Sequence, residues 1–151
     1  MTDQSDDVRV EGIDHVECYV PDRREAAEWY RKTLGLETNE MGWESYGPLM
    51  VTSDAGATNL ALFEGDPSGA EPGVGFHRVA FRIDGEGFFE IVDRLTADPT
   101  VDVDGRDDVR DHTYSFSVYF SDPYGNPFEV TTYEYAFVEE ALSVDGPGPS
   151  G

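Results

Sequence analysis

Ile13 to Val20 (IDHVECYV) reads as a strand, with Val16, Cys18 and Val20 on an apolar face and His15, Glu17 and Tyr19 on the other. Pro21-Asp22 then opens a helix from about Arg23 to Leu34, with Ala26, Trp29, Tyr30 and Leu34 recurring at helical spacing. Asp22 suits the N-cap, Glu25 three residues on completes a capping box, and Gly35 stands where a C′ glycine belongs. Leu36 to Met41, Pro48 to Thr52 and Asn59 to Glu64 read as three short strands separated by Gly, Ser and Asp. A Gly/Pro-rich connector (EGDPSGAEPGVG) follows, and then the order repeats. Phe76 to Ile83 predicts a strand, and Glu86 to Leu95 a helix with Phe88, Phe89, Val92 and Leu95 as its stripe. A short strand near Val101, a strand from Tyr114 to Ser121 and a closing strand complete the second round. The chain thus reads β-α-β-β-β twice, an internal duplication. Tyr133 to Leu142 predicts a short terminal helix, and SVDGPGPSG a flexible tail. The boundaries expected are a loose segment over 1–9, one domain over 10–135 (modules 10–66 and 74–135), and helix plus tail over 136–151.

The most informative stretch is Ser117 to Val130, SVYFSDPYGNPFEV. Asp122-Pro123-Tyr124-Gly125-Asn126 is dense in turn chemistry between two strands. The return strand places Glu129 between Phe128 and Val130, where a carboxylate must face water or find a partner.

Charge changes the picture. The chain has 32 acidic and 10 basic residues, a net charge of −22, and Lys32 is its single lysine. Such an acid excess resembles that of proteins from salt-in halophiles, where screening removes self-repulsion. It argues against nucleic acid, whose phosphates need Lys and Arg. Cys18 is the sole cysteine, which leaves no intrachain disulfide and no thiolate cluster. The N-terminus has no apolar h-region and no run approaches the ~20 residues that span a bilayer, so a cytoplasmic protein without membrane contact is expected.

IDHVECYVPD, the Trp29-Tyr30 helix followed by LGL, GFHRVAFRID, and above all YFSDPYGNPFEV resemble the vicinal oxygen chelate superfamily over roughly residues 10–135. That group holds glyoxalases, extradiol ring-cleaving dioxygenases, fosfomycin- and bleomycin-resistance proteins, and epimerases. The resemblance implies an α+β fold of two tandem βαβββ modules, curling into a mixed-sheet cup with helices outside. It also implies a divalent metal, held by a residue from the first strand of each module and a Glu of the final strand. His15 and Glu129 match two of those ligands, with a third in GFHRVAFRID. His15, His77 and Glu129 would form a two-histidine, one-carboxylate triad suited to Fe(II) or Mn(II).

Two frames compete for the third ligand. By strand parity Arg78 shares the position of His15, and His77 packs with Val79, Phe81 and Ile83. By aspartate spacing, Asp22 lies seven after His15 and Asp84 seven after His77, which favours His77. Overlaying the two hairpin turns puts Ala61 opposite Glu129, so a fourth ligand of the glyoxalase I type is missing. His112 and Tyr119 match the histidine and tyrosine that extradiol enzymes carry before the final Glu. They could shuttle a proton and hydrogen-bond a bound oxygen. The implied function is a metal-dependent, dioxygenase-like enzyme acting on a small chelating, oxygenated substrate. The alternatives are a metal-free binding cup of the bleomycin-resistance type, with Arg78 in place of a ligand, and a glyoxalase-type lyase. Closure of one cup within the chain and exchange of halves across a homodimer both stay open. VDVDGRDDVRD is a weak calcium-loop match without its twelfth-position glutamate.

Overall fold

The computed structural model describes residues 9, 11–66, 73 and 75–145, and the chain falls into two compact units, Met1–Asp66 and Pro67–Gly151. Of the expected loose segment over 1–9 and tail over 143–151, residues 1–8 and 146–151 lie outside the described residues.

In the first unit, β1 (His15–Tyr19) leads into α1 (Arg23–Leu34), followed by β2 (Glu37–Asn39), β3 (Leu49–Thr52) and β4 (Asn59–Phe63). The sheet order is β1-β4-β3-β2, with β1 parallel to β4 and the other pairs antiparallel. The helix begins as its sequence dictates. The Asp22 carboxylate accepts the backbone N–H of Arg24 and of Glu25, each at 3.0 Å. It ends at Gly35, whose φ of 73° and ψ of 20° are left-handed and free of Cβ strain. Ala26, Ala27, Tyr30 and Thr33 form the buried stripe of α1. Leu49, Val51, Leu60 and Leu62 share one buried face of the sheet, and Cys18 Sγ lies 3.7 Å from Tyr30 Oη beneath the helix. The Arg23 guanidinium donates to the carbonyls of Glu44 and Gly47, closing the loop before β3.

The second unit repeats the plan with β5 (Val79–Arg82), α2 (Gly85–Ala97), β6 (Arg110–Asp111), β7 (Phe116–Ser121) and β8 (Pro127–Thr132), ordered β5-β8-β7-β6. Again the first strand runs parallel to the last. Asp84 caps α2 by accepting Gly87 N at 2.8 Å. The β7–β8 turn is built on Asp122, which accepts Tyr124 N and Asn126 N, each at 2.9 Å, while Gly125 supplies a φ of 99°. Phe88, Val92 and Leu95 of α2 are buried with Val118, Phe128 and Val130 of the sheet. An added α3 (Tyr135–Asp145) runs three residues into the stretch expected to be tail. The two modules of mixed sheet with flanking helices give the expected α+β class of tandem βαβββ units.

Two expectations are corrected. The strand near Val101 is absent: Val101 and Val103 are buried and Asp102 and Asp104 exposed, so the period of two is real. No partner strand pairs with them, and a 3-10 turn at Arg106–Asp108 intervenes before the short β6. β5 begins at Val79 rather than Phe76, and Phe76 is fully exposed. Among the described residues no helix is long and apolar enough to cross a membrane.

Candidate functional site

The candidate residues of the second unit stand on one face of its sheet. Tyr119 pairs with Glu129, Glu129 with Ala80, Ser117 with Thr131, and Thr131 with Arg82, so these side chains emerge on the same side. Arg78, two residues before Ala80, continues that row. The opposite face carries Val79, Phe81, Phe116, Val118, Phe120, Phe128 and Val130 and is the packed one. The polar face holds a connected set of groups. His112 Nε2 lies 2.9 Å from the Tyr119 hydroxyl, with the rings edge to face. The Arg78 guanidinium lies over the Tyr119 ring, 4.7 Å from its centroid. A cleft of about 330 Å³ opens beside them, lined by Arg78, Thr100, Asp102, Tyr119, Ser121 and Pro127 among others.

Among the described residues Glu129, half-buried, has a hydroxyl partner rather than a cation. Ser117 Oγ donates to Glu129 Oε2 at 2.8 Å and lies 3.0 Å from Thr131 Oγ1. Sequence reasoning missed Ser117. The available signal was parity, since Ser117 shares the face of Tyr119 two residues on.

His112 sits in a turn that is held from outside. The Tyr135 hydroxyl meets both Asp111 carboxylate oxygens at 2.7 and 2.8 Å, and Asp111 Oδ1 also accepts Thr113 N at 2.8 Å. Tyr135 stacks on Phe116 with centroids 4.6 Å apart. Thr113 itself is left-handed, at a φ of 75°. The hydrogen bond from Tyr135 holds the Asp111 carboxyl below its usual range, and the same bond pushes the Tyr135 phenol up to about 12. The sign follows from linkage. A depressed Asp111 adds stability above its unfolded pKa of about 3.9, and that stability is lost as pH falls through the folded value. Tyr135→Phe is therefore expected to be less stable than the parent at neutral pH, with the gap closing on acidification. Carbon-detected NMR of the Asp111 carboxyl checks this, and an Asp111 pKa unmoved by Tyr135→Phe would contradict it.

In the first unit, His15 stands at the start of β1 with both ring nitrogens near carboxylates: Nδ1 is 2.9 Å from Asp14 Oδ2 and Nε2 is 3.4 Å from Glu17 Oε2. The Asp14 hydrogen bond chiefly raises its pKa, against partial desolvation.

The duplicated ladders decide which residue of the second unit matches His15. Val20 N donates to the Phe63 carbonyl at 2.9 Å, and Ile83 N donates to the Thr131 carbonyl at 3.0 Å. These are the same bond in the two units, so Val20 matches Ile83 and Phe63 matches Thr131. Counting back along each strand, His15 matches Arg78, Asp14 matches His77, and Ala61 matches Glu129. The aspartate-based frame fails because Pro21 has no counterpart: Val20-Pro21-Asp22 faces Ile83-Asp84. His77 lies in exposed coil before β5.

The sequence profile of the Glyoxalase/Bleomycin resistance protein/Dioxygenase superfamily matches residues 12–130. The chain belongs to this superfamily. No curated protein matches the sequence, but solved structures of the superfamily's fold do. Oxidase ChaP-H1 is 25% identical with a TM-score of 0.59, covering 83% of this chain and 98% of its own. Oxidase ChaP-H2 is 21% identical at a TM-score of 0.60, over 84% and 97% of the two chains. A lactoylglutathione lyase from Agrobacterium tumefaciens is 25% identical at a TM-score of 0.56, over 82% and 94%.

Superfamily members often use a divalent metal, so the donors here need testing. The four matched positions carry His15, Ala61, Arg78 and Glu129. An imidazole and a carboxylate can ligate, whereas a methyl group and a guanidinium cannot. Among the described residues no group of three or more His, Cys, Asp and Glu side chains is gathered as a ligand set. The matched positions thus do not supply the three protein donors that a stable divalent site of this kind requires. The acidic loop over 101–111 turns inward on itself, with Asp108 Oδ2 accepting Asp104 N at 2.7 Å.

Proposed function

We propose that this superfamily member is a small-molecule-binding protein that meets its ligand's oxygens with Arg78, Tyr119 and His112 on the polar face of the second unit. In this reading the guanidinium of Arg78 does the work that a metal does in other members. The observation that carries it is the ladder register, which matches Arg78 with His15. Arg78 holds a permanent charge and a planar fork of N–H donors, stacked on Tyr119 and so restricted in orientation. A ligand with adjacent oxygens, one of them ionised, can accept two of those N–H bonds. The Tyr119 hydroxyl and His112 Nε2 share one hydrogen bond, so His112 can take a proton from a ligand hydroxyl and return it through Tyr119. Substrate-sized oxygenated aromatics fit this chemistry. Nucleic acid and membrane remain outside the proposal, and a homodimer is compatible with it.

The His112–Tyr119 pair also favours a second reading, a ring-cleaving dioxygenase, because extradiol enzymes carry such a pair. That reading needs a metal-ligand set of His15, Glu129 and His77, with Fe(II) or Mn(II).

Metal analysis and calorimetry on the purified protein separate the two. The expected result is that metal-stripped protein binds catechol as tightly as untreated protein, and that Arg78→Ala weakens binding at least roughly tenfold. Stoichiometric iron or manganese, lost in His15→Ala and needed for catechol binding, would overturn the proposal in favour of the dioxygenase.

A further inference from the structure

Four arginines of this chain reach carboxylates, in a sequence where 32 acids face 10 bases. Arg24 pairs with Glu40 at 3.1 Å, Arg31 with Glu28 at 2.6 Å and Arg94 with Glu90 at 3.0 Å. Arg106 lies over the Phe89 ring and still reaches Asp93 at 3.4 Å. Arg23 and Arg110 donate to backbone carbonyls instead, while Arg78, just before β5, and Arg82, at its end, lie over aromatic rings. Arg78 lies over Tyr119 and Arg82 lies over Tyr133, 4.5 Å from the centroid, and neither has a carboxylate within ion-pair distance among the described residues. Carboxylates stand close by in sequence and ladder but are engaged elsewhere. Glu129, opposite the intervening Ala80, binds Ser117, and Glu134, next to Tyr133, accepts Gly85 N at 2.9 Å. A charge kept on an edge strand merely to block aggregation would serve as well as Asp or Glu, the common choice here. Both guanidiniums are exposed, and the small Ala80 leaves the strip between them low.

We infer that Arg82, held against Tyr133, is a subsite for a carboxylate or equivalent oxyanion, so that the ligand is an oxygenated ring bearing a separate anionic group. The inference rests on the reading that Arg78, Tyr119 and His112 receive the ring oxygens. Arg82 lies four residues on from Arg78, about 13 Å between Cα atoms for extended backbone, a span within the combined reach of two long side chains and a small ligand. The ring restricts where the guanidinium sits and leaves N–H donors for a bidentate oxyanion. An anion approaching a chain of net charge −22 meets general repulsion, so affinity must come from such directed contacts, and these survive molar salt better than diffuse attraction.

Calorimetry in molar KCl with two probes of similar size tests this: 3,4-dihydroxybenzoate, an anion at neutral pH, and 3,4-dihydroxybenzyl alcohol, which is neutral. The benzoate is expected to bind roughly tenfold more tightly. Arg82→Gln should bring that ratio close to one while leaving the alcohol's affinity unchanged, and Arg82→Lys should keep part of it. Equal affinities in the parent protein, or a preference that survives Arg82→Gln, would overturn the subsite. Binding of the benzoate alone, lost in Arg82→Gln but indifferent to Arg78→Gln, would support the subsite and sink the reading of Arg78. Binding of neither probe would overturn both.

Discussion

Phe128→Ala is expected to destabilise the second unit by about 3–5 kcal/mol, read as a fall in urea midpoint at constant slope. Phe128 is 1% exposed on the packed face of β8, between strands on both sides. It stacks on Phe81 at 5.8 Å and on Phe120 at 5.9 Å, so one truncation breaks two ring contacts across three strands. Area burial alone accounts for about 2–3 kcal/mol, and each lost aromatic pair adds about 0.5–1.5 kcal/mol. The cavity resists collapse because its neighbours are fixed by the β5–β8–β7 ladders. Function should suffer with stability, since Glu129 follows Phe128 directly and Tyr119 precedes Phe120. Ser121→Ala, at an exposed position of the same sheet, should change stability by less than about 0.5 kcal/mol. A loss below about 1 kcal/mol in Phe128→Ala would mean that the aromatic row is not the core of this unit.

The elements could be read from the chain wherever local chemistry decides them. Asp22 marks a helix start because a short carboxylate satisfies orphan N–H groups whatever lies around it, and Asp84 does the same for α2. Gly35 marks a stop for an equally local reason. The β7–β8 turn was legible for the same cause, as Asp122 bonds within its own five residues. What needed coordinates is pairing at a distance. Alternation at Val101 to Asp104 is the signature of a strand, but a strand also needs a neighbour, and alternation carries no information about one. The candidate site failed to resolve at a single residue, Pro21, whose insertion makes cap-to-strand spacing differ between the units while the ladder bonds stay matched. The partners of Glu129 and His112 were hidden more deeply. Ser117 and Tyr135 reach them from other elements, and Tyr135 acts through Asp111 from a helix outside the repeated module.

Raising KCl from roughly 0.05 M to 2 M is expected to raise the melting temperature by on the order of 10 °C. The cause is the acid surplus, a net charge of −22 on 151 residues, which the folded chain confines to a smaller volume than the unfolded one. At roughly 0.05 M salt the Debye length exceeds 10 Å, so carboxylates repel across much of the surface; at molar salt it is about 3 Å and only neighbours interact. Salt also weakens the exposed pairs Arg24–Glu40, Arg31–Glu28 and Arg94–Glu90, which opposes the gain. Exposed pairs of this kind contribute little, and most of the acids have no basic residue to pair with, so relief of repulsion wins. Screening and specific ion binding differ in their response to neutralisation. Glu11→Gln with Glu140→Gln, both at exposed positions, should raise the low-salt melting temperature and shrink the salt gain if screening is the cause. NaCl should act as KCl does. A melting temperature that is flat between the two salt concentrations would show that the surplus is already neutralised locally, and the acidic surface would then need an explanation other than its solvent.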